Sequence, residues 1–241
     1  MIDIRIALRR AIAQLDAAHI DAPKTTARVL LAHVLGKPKE WLAAHDDAAI
    51  DEDAQRRFER ALARVIAREP LAYVLGQREF FGLDFAVDAR VLIPRPETEM
   101  LVDFALQKLS MQNAAYKIDE RESLFPFPYS LLDVGTGSGA IPIAVAKHCP
   151  TARILATDVS LDALAVAARN AQRHNVAEQI TFLHSDLLEN VDGLPRVLTA
   201  NLPYVTTEEI EGLQPEIQDH EPRVALDGGA DGLHLIEKLL Q

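Results

Sequence analysis

The residues best suited to chemistry lie in the C-terminal half of the chain. The run Asp133-Val134-Gly135-Thr136-Gly137-Ser138-Gly139 falls where the apolar stretch Leu131 to Val134 gives way to a helical run starting at Ala140. Glycines at such a junction allow tight backbone turns and let a ligand approach main-chain N–H groups at a helix start. With Ala140 the spacing also satisfies the dinucleotide pattern Gly-x-Gly-x-x-Ala, so the loop alone defines a nucleoside-type ligand without separating a nicotinamide cofactor from S-adenosylmethionine. Asp158 closes the next strand, about 20 residues further on, where a carboxylate can accept from both ribose hydroxyls. It could also cap the following helix, a duty open to Ser160 as well. Asp186, after the third strand, is the analogous candidate for an adenine amino group, with a turn cap as the alternative.

Asn201-Leu202-Pro203-Tyr204 ends the fourth strand. An amide, a proline and an aromatic ring at the carboxyl edge of a sheet suit a planar amino group. The Asn201 side-chain oxygen and a nearby backbone carbonyl accept its two hydrogens, and Tyr204 offers a flat stacking face. An amide or aromatic amine nitrogen has its lone pair delocalised. Two fixed acceptors favour the pyramidal geometry whose lone pair can attack a methyl sulfonium in line. On its own the tetrapeptide would read as an ordinary Asn-x-Pro turn; one strand after a glycine-rich loop and Asp158, it reads as a site.

The elements that must hold these residues follow from periodicity. Over residues 1–75 apolar residues recur at helical spacing, with Ile4, Leu8, Ala11, Ile12 and Leu15 on one face and Val29, Leu30, Val34 and Leu35 on another, predicting four or five short packed helices. Asp21 and Pro23 before the second segment, Gly36 and Pro38 after it, and Asp51 before Phe58, Leu62, Val65 and Ile66 punctuate them. Residues 76–96 read as a hairpin linker, Glu79-Phe80-Phe81 and Asp84-Phe85-Ala86-Val87 flanking Gly82. A helix is expected over Glu97 to Leu109 and an irregular connection over Ser110 to Ser130. From Leu131 to Ala200 strands alternate with helices, which predicts a parallel sheet covered on both faces. The domains are therefore 1–75, 76–96 and 97–241.

Composition narrows the class. With 25 Lys+Arg against 36 Asp+Glu the formal charge is −11, which opposes long-range attraction to a polyanion, so no stable nucleic-acid binding is expected. A single cysteine, Cys149, forms no internal disulfide and holds no zinc alone, and no metal site is expected. No apolar run approaches the ~18 residues of a membrane span and no secretory pattern opens the chain, which predicts a cytoplasmic protein without membrane attachment.

Leu131 to Gly139, Asp158, Asp186 and the Asn201 tetrapeptide resemble motifs of class I S-adenosylmethionine-dependent methyltransferases acting on exocyclic or amide nitrogens. Ile93-Pro94-Arg95-Pro96-Glu97-Thr98-Glu99, preceded by Pro70 to Gly76 and Phe80-Phe81-Gly82, and the downstream Glu221 to Gly229, are similar to a narrower family, the peptide chain release factor glutamine methyltransferases (PrmC/HemK). The resemblance implies an α/β, Rossmann-like class I methyltransferase domain behind a small helical domain that helps hold the partner. It implies methylation of the glutamine in the Gly-Gly-Gln tip of class I release factors. Carried over, Gly135, Thr136, Gly137, Ser138 and Gly139 would bind the methionine and ribose end of S-adenosyl-L-methionine, Asp158 the ribose, Asp186 with Leu187 the adenine region. Asn201, Leu202, Pro203 and Tyr204 would hold the glutamine. Glu97 and Glu99 read as solvated helix-opening carboxylates and Arg95 as lining the site entrance.

Two departures stand out. Leu202 replaces the family's usual proline, a change expected to keep the backbone acceptor while loosening the loop; Asn-Leu-Pro-Tyr is typical of ribosomal RNA adenine dimethyltransferases. The family's sheet has seven strands, yet after Ala200 only Arg223 to Leu226 looks strand-like, so the terminal strands are expected to be missing. The competing readings are an adenine methyltransferase acting on nucleic acid, a non-catalytic release-factor-binding relative and, last, a nicotinamide dehydrogenase.

Overall fold

A computed structural model of the chain describes residues 2–115, 129–193 and 195–241, the side chains of 111–115 excepted. Contacts divide it into two compact units, Met1–Gly76 with Pro215–His220, and Gln77–Gln214 with Glu221–Gln241.

In the first unit, a two-residue strand β1 (Ile2–Asp3) leads into α1 (Ile4–Ala17), α2 (Pro23–Leu35) and α3 (Lys39–Ala44). A second short strand β2 (Ala49–Ile50) pairs antiparallel with β1 and precedes α4 (Glu52–Ile66) and α5 (Leu71–Leu75). Asp3 and Asp51 cap α1 and α4, accepting from Ile6 N and Ala54 N at 2.7 and 2.8 Å. The apolar stripes meet in one core, where Ile4, Leu15, Leu30, Leu31, Phe58 and Leu62 are buried.

The second unit opens with the expected hairpin, β3 (Gln77–Phe80) and β4 (Leu83–Ala86). Its turn is the pair Phe81-Gly82, both at positive φ (53° and 72°), the mirror-image turn whose twist matches the flanking strands. Phe80 and Phe85 are buried in the core of this unit, so the hairpin belongs to it by packing. After a single 3₁₀ turn at Pro96–Thr98 comes α6 (Glu99–Ala115); residues 116–128, most of the expected irregular connection, lie outside the described residues.

Next come β5 (Tyr129–Val134), α7 (Ala140–His148), β6 (Ile154–Asp158), α8 (Leu161–Arg173), β7 (Ile180–His184) and β8 (Pro195–Ala200), then α9 (Pro215–Gln218), which packs with the first unit, and α10 (His234–Leu239). The four long strands form one parallel sheet in the order β7-β6-β5-β8. On one face Leu131, Ile154 and Ala156 pack with residues of α6, α7 and α8 and with the hairpin phenylalanines. On the other, Leu132, Val134 and Leu155 meet Leu202 and, from α10, Leu235, Ile236 and Leu239.

The strand-like reading of Arg223 to Leu226 is corrected: Arg223–Ala225 is a 3₁₀ turn, and the only pairing nearby among the described residues is a parallel bridge from Asp227 to Val205. Asp227 favours the turn, because Oδ2 accepts from Arg223 and Oδ1 from Gly229 N and the Thr207 hydroxyl. Among the described residues no helix is long and apolar enough to cross a membrane.

Candidate active site

The chain crosses from β5 to β6 and β7 on one side, then returns to place β8 on the other side of β5. At such a switch point the carboxyl ends of neighbouring strands part and leave a crevice. Here it is a cavity of about 310 Å³ wholly within the second unit. Gly135, Thr136, Gly137 and Ser138 line it from the β5 end, Asp158 and Val159 from β6, Asp186 and Leu187 from beyond β7, and Asn201, Leu202 and Pro203 from β8.

The glycines are not equivalent. All three adopt positive φ, at 71°, 56° and 80°. A Cβ on Gly137 would meet nothing within 4 Å, so the loop leaves open space there. A Cβ on Gly135 would stand 3.3 Å from Leu202 Cδ2. On Gly139 it would meet Ile143 Cδ1 at 2.9 Å and Ala167 Cβ at 3.1 Å, and Gly139 is not among the cavity-lining residues. Its hydrogen atom permits α7 and α8 to pack closely.

Asp158 ties loop to strand: Oδ2 accepts from Gly137 N at 2.8 Å and Oδ1 from Ser160 N at 2.9 Å. The helix cap is Ser160, whose hydroxyl accepts from Ala163 N at 3.2 Å. Burial pushes the Asp158 carboxyl up from its ordinary value, opposed by the N–H groups of Ser160, Gly137 and Val159. A carboxylate offers about four acceptor positions, so beyond these three N–H groups it keeps capacity for a further donor. Asp186 is held by Lys238 of α10, Nζ to Oδ2 at 2.6 Å. Leu187 lies in the left-handed region (φ 49°), an uncommon conformation for a bulky residue and one that concentrates at ligand clamps.

At the tip of β8, Asn201 Nδ2 donates to Thr98 Oγ1 at 3.3 Å. Leu202 is buried against Leu132, Val134 and Leu155 and abuts Gly135, so leucine fills the floor of this loop where a looser turn was expected. Tyr204 departs from the sequence reading: it is 65% exposed and does not line the cavity. From Val205 the backbone is drawn toward the segment after Pro222, with Val205 N donating to Leu226 O and Gly228 N to Val205 O, which turns the preceding ring outward.

Arg95 lines the cavity from the connector, at the entrance where the motif places it, and Thr98 beside it, not singled out by motif reading, lines it too. Arg95 pairs with Glu221 at 2.6 Å, and the Glu221 side chain, only 1% exposed, also accepts from Ile93 N. Glu99 accepts from Phe81 N at 3.0 Å, so it braces the hairpin, whereas Glu97 is exposed. Asn170 of α8, fully buried, accepts from Ala86 N and donates to Ala86 O and Ser138 O. A lone amide between Ala167 and Ala171 on an apolar helix face was the available signal. Beneath the loop, Asp133 accepts from the Thr199 hydroxyl at 2.7 Å, and burial pushes its carboxyl up to about 7.

The residues present fit a nucleoside cofactor. Gly137 leaves a gap, Asp158 retains acceptor capacity, and Val159 and Leu187 supply apolar walls.

A parallel sheet with a glycine turn, an acidic strand end and an Asn-x-Pro edge around one cavity defines a methyltransferase of the Rossmann-like class. The solved hMettl16 catalytic domain, bound to a MAT2A 3′UTR hairpin, shares this fold at a TM-score of 0.50 and 14% identity, over 79% of this chain and 62% of that one. Family models match as the PrmC N-terminal domain over residues 7–76 and the methyltransferase small domain over 122–213. The chain is 38% identical to the release factor glutamine methyltransferase of Nitratidesulfovibrio vulgaris, over 94% of this chain and 72% of that protein. To the enzyme of the same description from Moorella thermoacetica it is 39% identical, over 98% and 79%. A bifunctional methyltransferase of Rickettsia felis is 36% identical over 95% of this chain, which spans 46% of that protein's length. The chain belongs to the release factor glutamine methyltransferase family.

Proposed function

We propose that the protein transfers a methyl group from S-adenosyl-L-methionine to the side-chain amide nitrogen of the glutamine in the Gly-Gly-Gln tip of a class I peptide chain release factor. The observation that carries this reading is the sharing of one cavity by Asn201 and the Gly135–Gly137 turn. When bound, the cofactor supplies a methyl group made electrophilic by a sulfonium.

The residues of the chain then divide the work. Gly135, Thr136, Gly137 and Ser138 bind the methionine and ribose end, Asp158 accepts from the ribose, and Asp186 with Leu187 flanks the adenine. Asn201 Oδ1 and the Leu202 carbonyl accept the two amide hydrogens, which localises the nitrogen lone pair. No strong general base is needed before attack, because the proton becomes acidic once the nitrogen is alkylated. Pro203 stiffens the edge on which the amide rests. Tyr204, exposed on the rim, meets the approaching loop from outside. The helical domain 1–75 contributes to holding the release factor. The surplus of 11 negative charges supports a protein partner over a polyanion.

Incubation of the chain with methyl-labelled S-adenosylmethionine and a class I release factor tests the proposal. Label on the Gly-Gly-Gln glutamine is the expected result. A folded preparation that leaves the glutamine unlabelled overturns it, and transfer to RNA or DNA instead would establish the adenine reading.

A further inference from the structure

Thr98 sits on the connector between the hairpin and α6, remote in sequence from the β8 tip, yet its hydroxyl is the hydrogen-bond partner of the Asn201 amide. The connector around it is braced on both sides. Thr98 N donates to Arg95 O at 3.0 Å, Arg95 is paired with the buried Glu221, and the following Glu99 is hydrogen-bonded to the hairpin at Phe81 N. The hydroxyl is therefore presented from a rigid bracket, and it lines the same cavity as Asn201.

An asparagine side chain has a broad, soft terminal torsion, and an acceptor free to rotate loses much of the benefit of preorganisation. When Asn201 Nδ2 donates to Thr98, the amide plane is fixed and the opposite end, Oδ1, is left as an acceptor for a ligand N–H. We infer that Thr98 is a positioning residue for Asn201, setting the plane and direction of the acceptor that grips the transferable amide. The inference rests on the reading of Asn201 as the substrate acceptor.

Four variants and two readouts test it. Thr98→Val keeps the shape and removes the hydroxyl, and should lower kcat about 10-fold, the scale of one net hydrogen bond, with the affinity for S-adenosylhomocysteine unchanged. Thr98→Ser should restore most of the rate. In the Asn201→Ala background Thr98→Val should cost little more, because the partner it positions is gone. An additive loss across that cycle, or a Thr98→Val enzyme as fast as the wild type, overturns the inference.

A second readout needs no turnover. In the ligand-free protein the Asn201 side-chain NH₂ should be ordered, with a heteronuclear NOE that falls in Thr98→Val and persists in Thr98→Ser. Unchanged Asn201 resonances in Thr98→Val would overturn the positioning role. If the wild type fails to methylate a release factor while this signature holds, the proposed substrate fails and the Thr98 contact stands.

Discussion

Asp158 Oδ2 accepts the backbone N–H of Gly137 at 2.8 Å, so the carboxylate that ends β6 also shapes the glycine turn that ends β5. Removing it takes away the proposed ribose acceptor and a loop tether together. Asp158→Ala should weaken S-adenosylhomocysteine binding by about 10- to 100-fold, the range for a hydrogen bond to a charged group. Isothermal titration calorimetry measures this, and Asp158→Asn, which retains an acceptor, should fall between that variant and the wild type.

Asn201→Ala should lower turnover by roughly 100-fold or more, the scale of losing one preorganised polar contact, with little change in cofactor affinity. Single-turnover methyl transfer beside a cofactor titration separates the two. Equal losses in both would mark Asn201 as a structural residue.

Gly137→Ala and Gly139→Ala should fail differently. Both impose positive-φ strain of about 1 kcal/mol, but only at Gly139 does the new methyl collide, with Ile143 and Ala167. Gly139→Ala should therefore lower Tm the more, whereas Gly137→Ala should keep most of the stability and lose cofactor affinity. Thermal denaturation with and without S-adenosylhomocysteine distinguishes them.

Asp133 makes stability depend on pH. Its folded value is about 7, against about 3.9 for an unfolded carboxyl. Between these values the folded state binds the extra proton, so this group's contribution to stability declines as pH rises through that window and its penalty is fully present above about 7. Asp133→Asn should consequently be stabilising at pH 8, with the advantage shrinking toward pH 5. Tm measured across that range for both proteins checks the sign.

The alternation of strand and helix from Leu131 to Ala200 was legible because each strand is short, apolar and bounded by turn residues. The cavity-lining set Gly135, Gly137, Asp158 and Asn201 followed from that grammar. Long-range partnership was not legible. Nothing local to Thr98 points to Asn201 and nothing local to Arg95 points to Glu221; the first contact exists because the connector meets the β8 edge, the second because it also meets the segment just before Pro222. Arg223 to Leu226 was misread because its apolar residues suggest a strand, while the hydrogen bonds accepted by Asp227 decide the turn. Tyr204 faces outward for a related reason, since pairing beyond it sets the direction of the chain.

The buried amide of Asn170 satisfies both peptide groups of Ala86 and the carbonyl of Ser138 with one side chain. An aspartate there could not donate, and a glutamine would reach too far, so no near-isosteric replacement serves all three. The hairpin strand β4 and the glycine turn are thereby fastened through one side chain, so a change at Asn170 unsettles both.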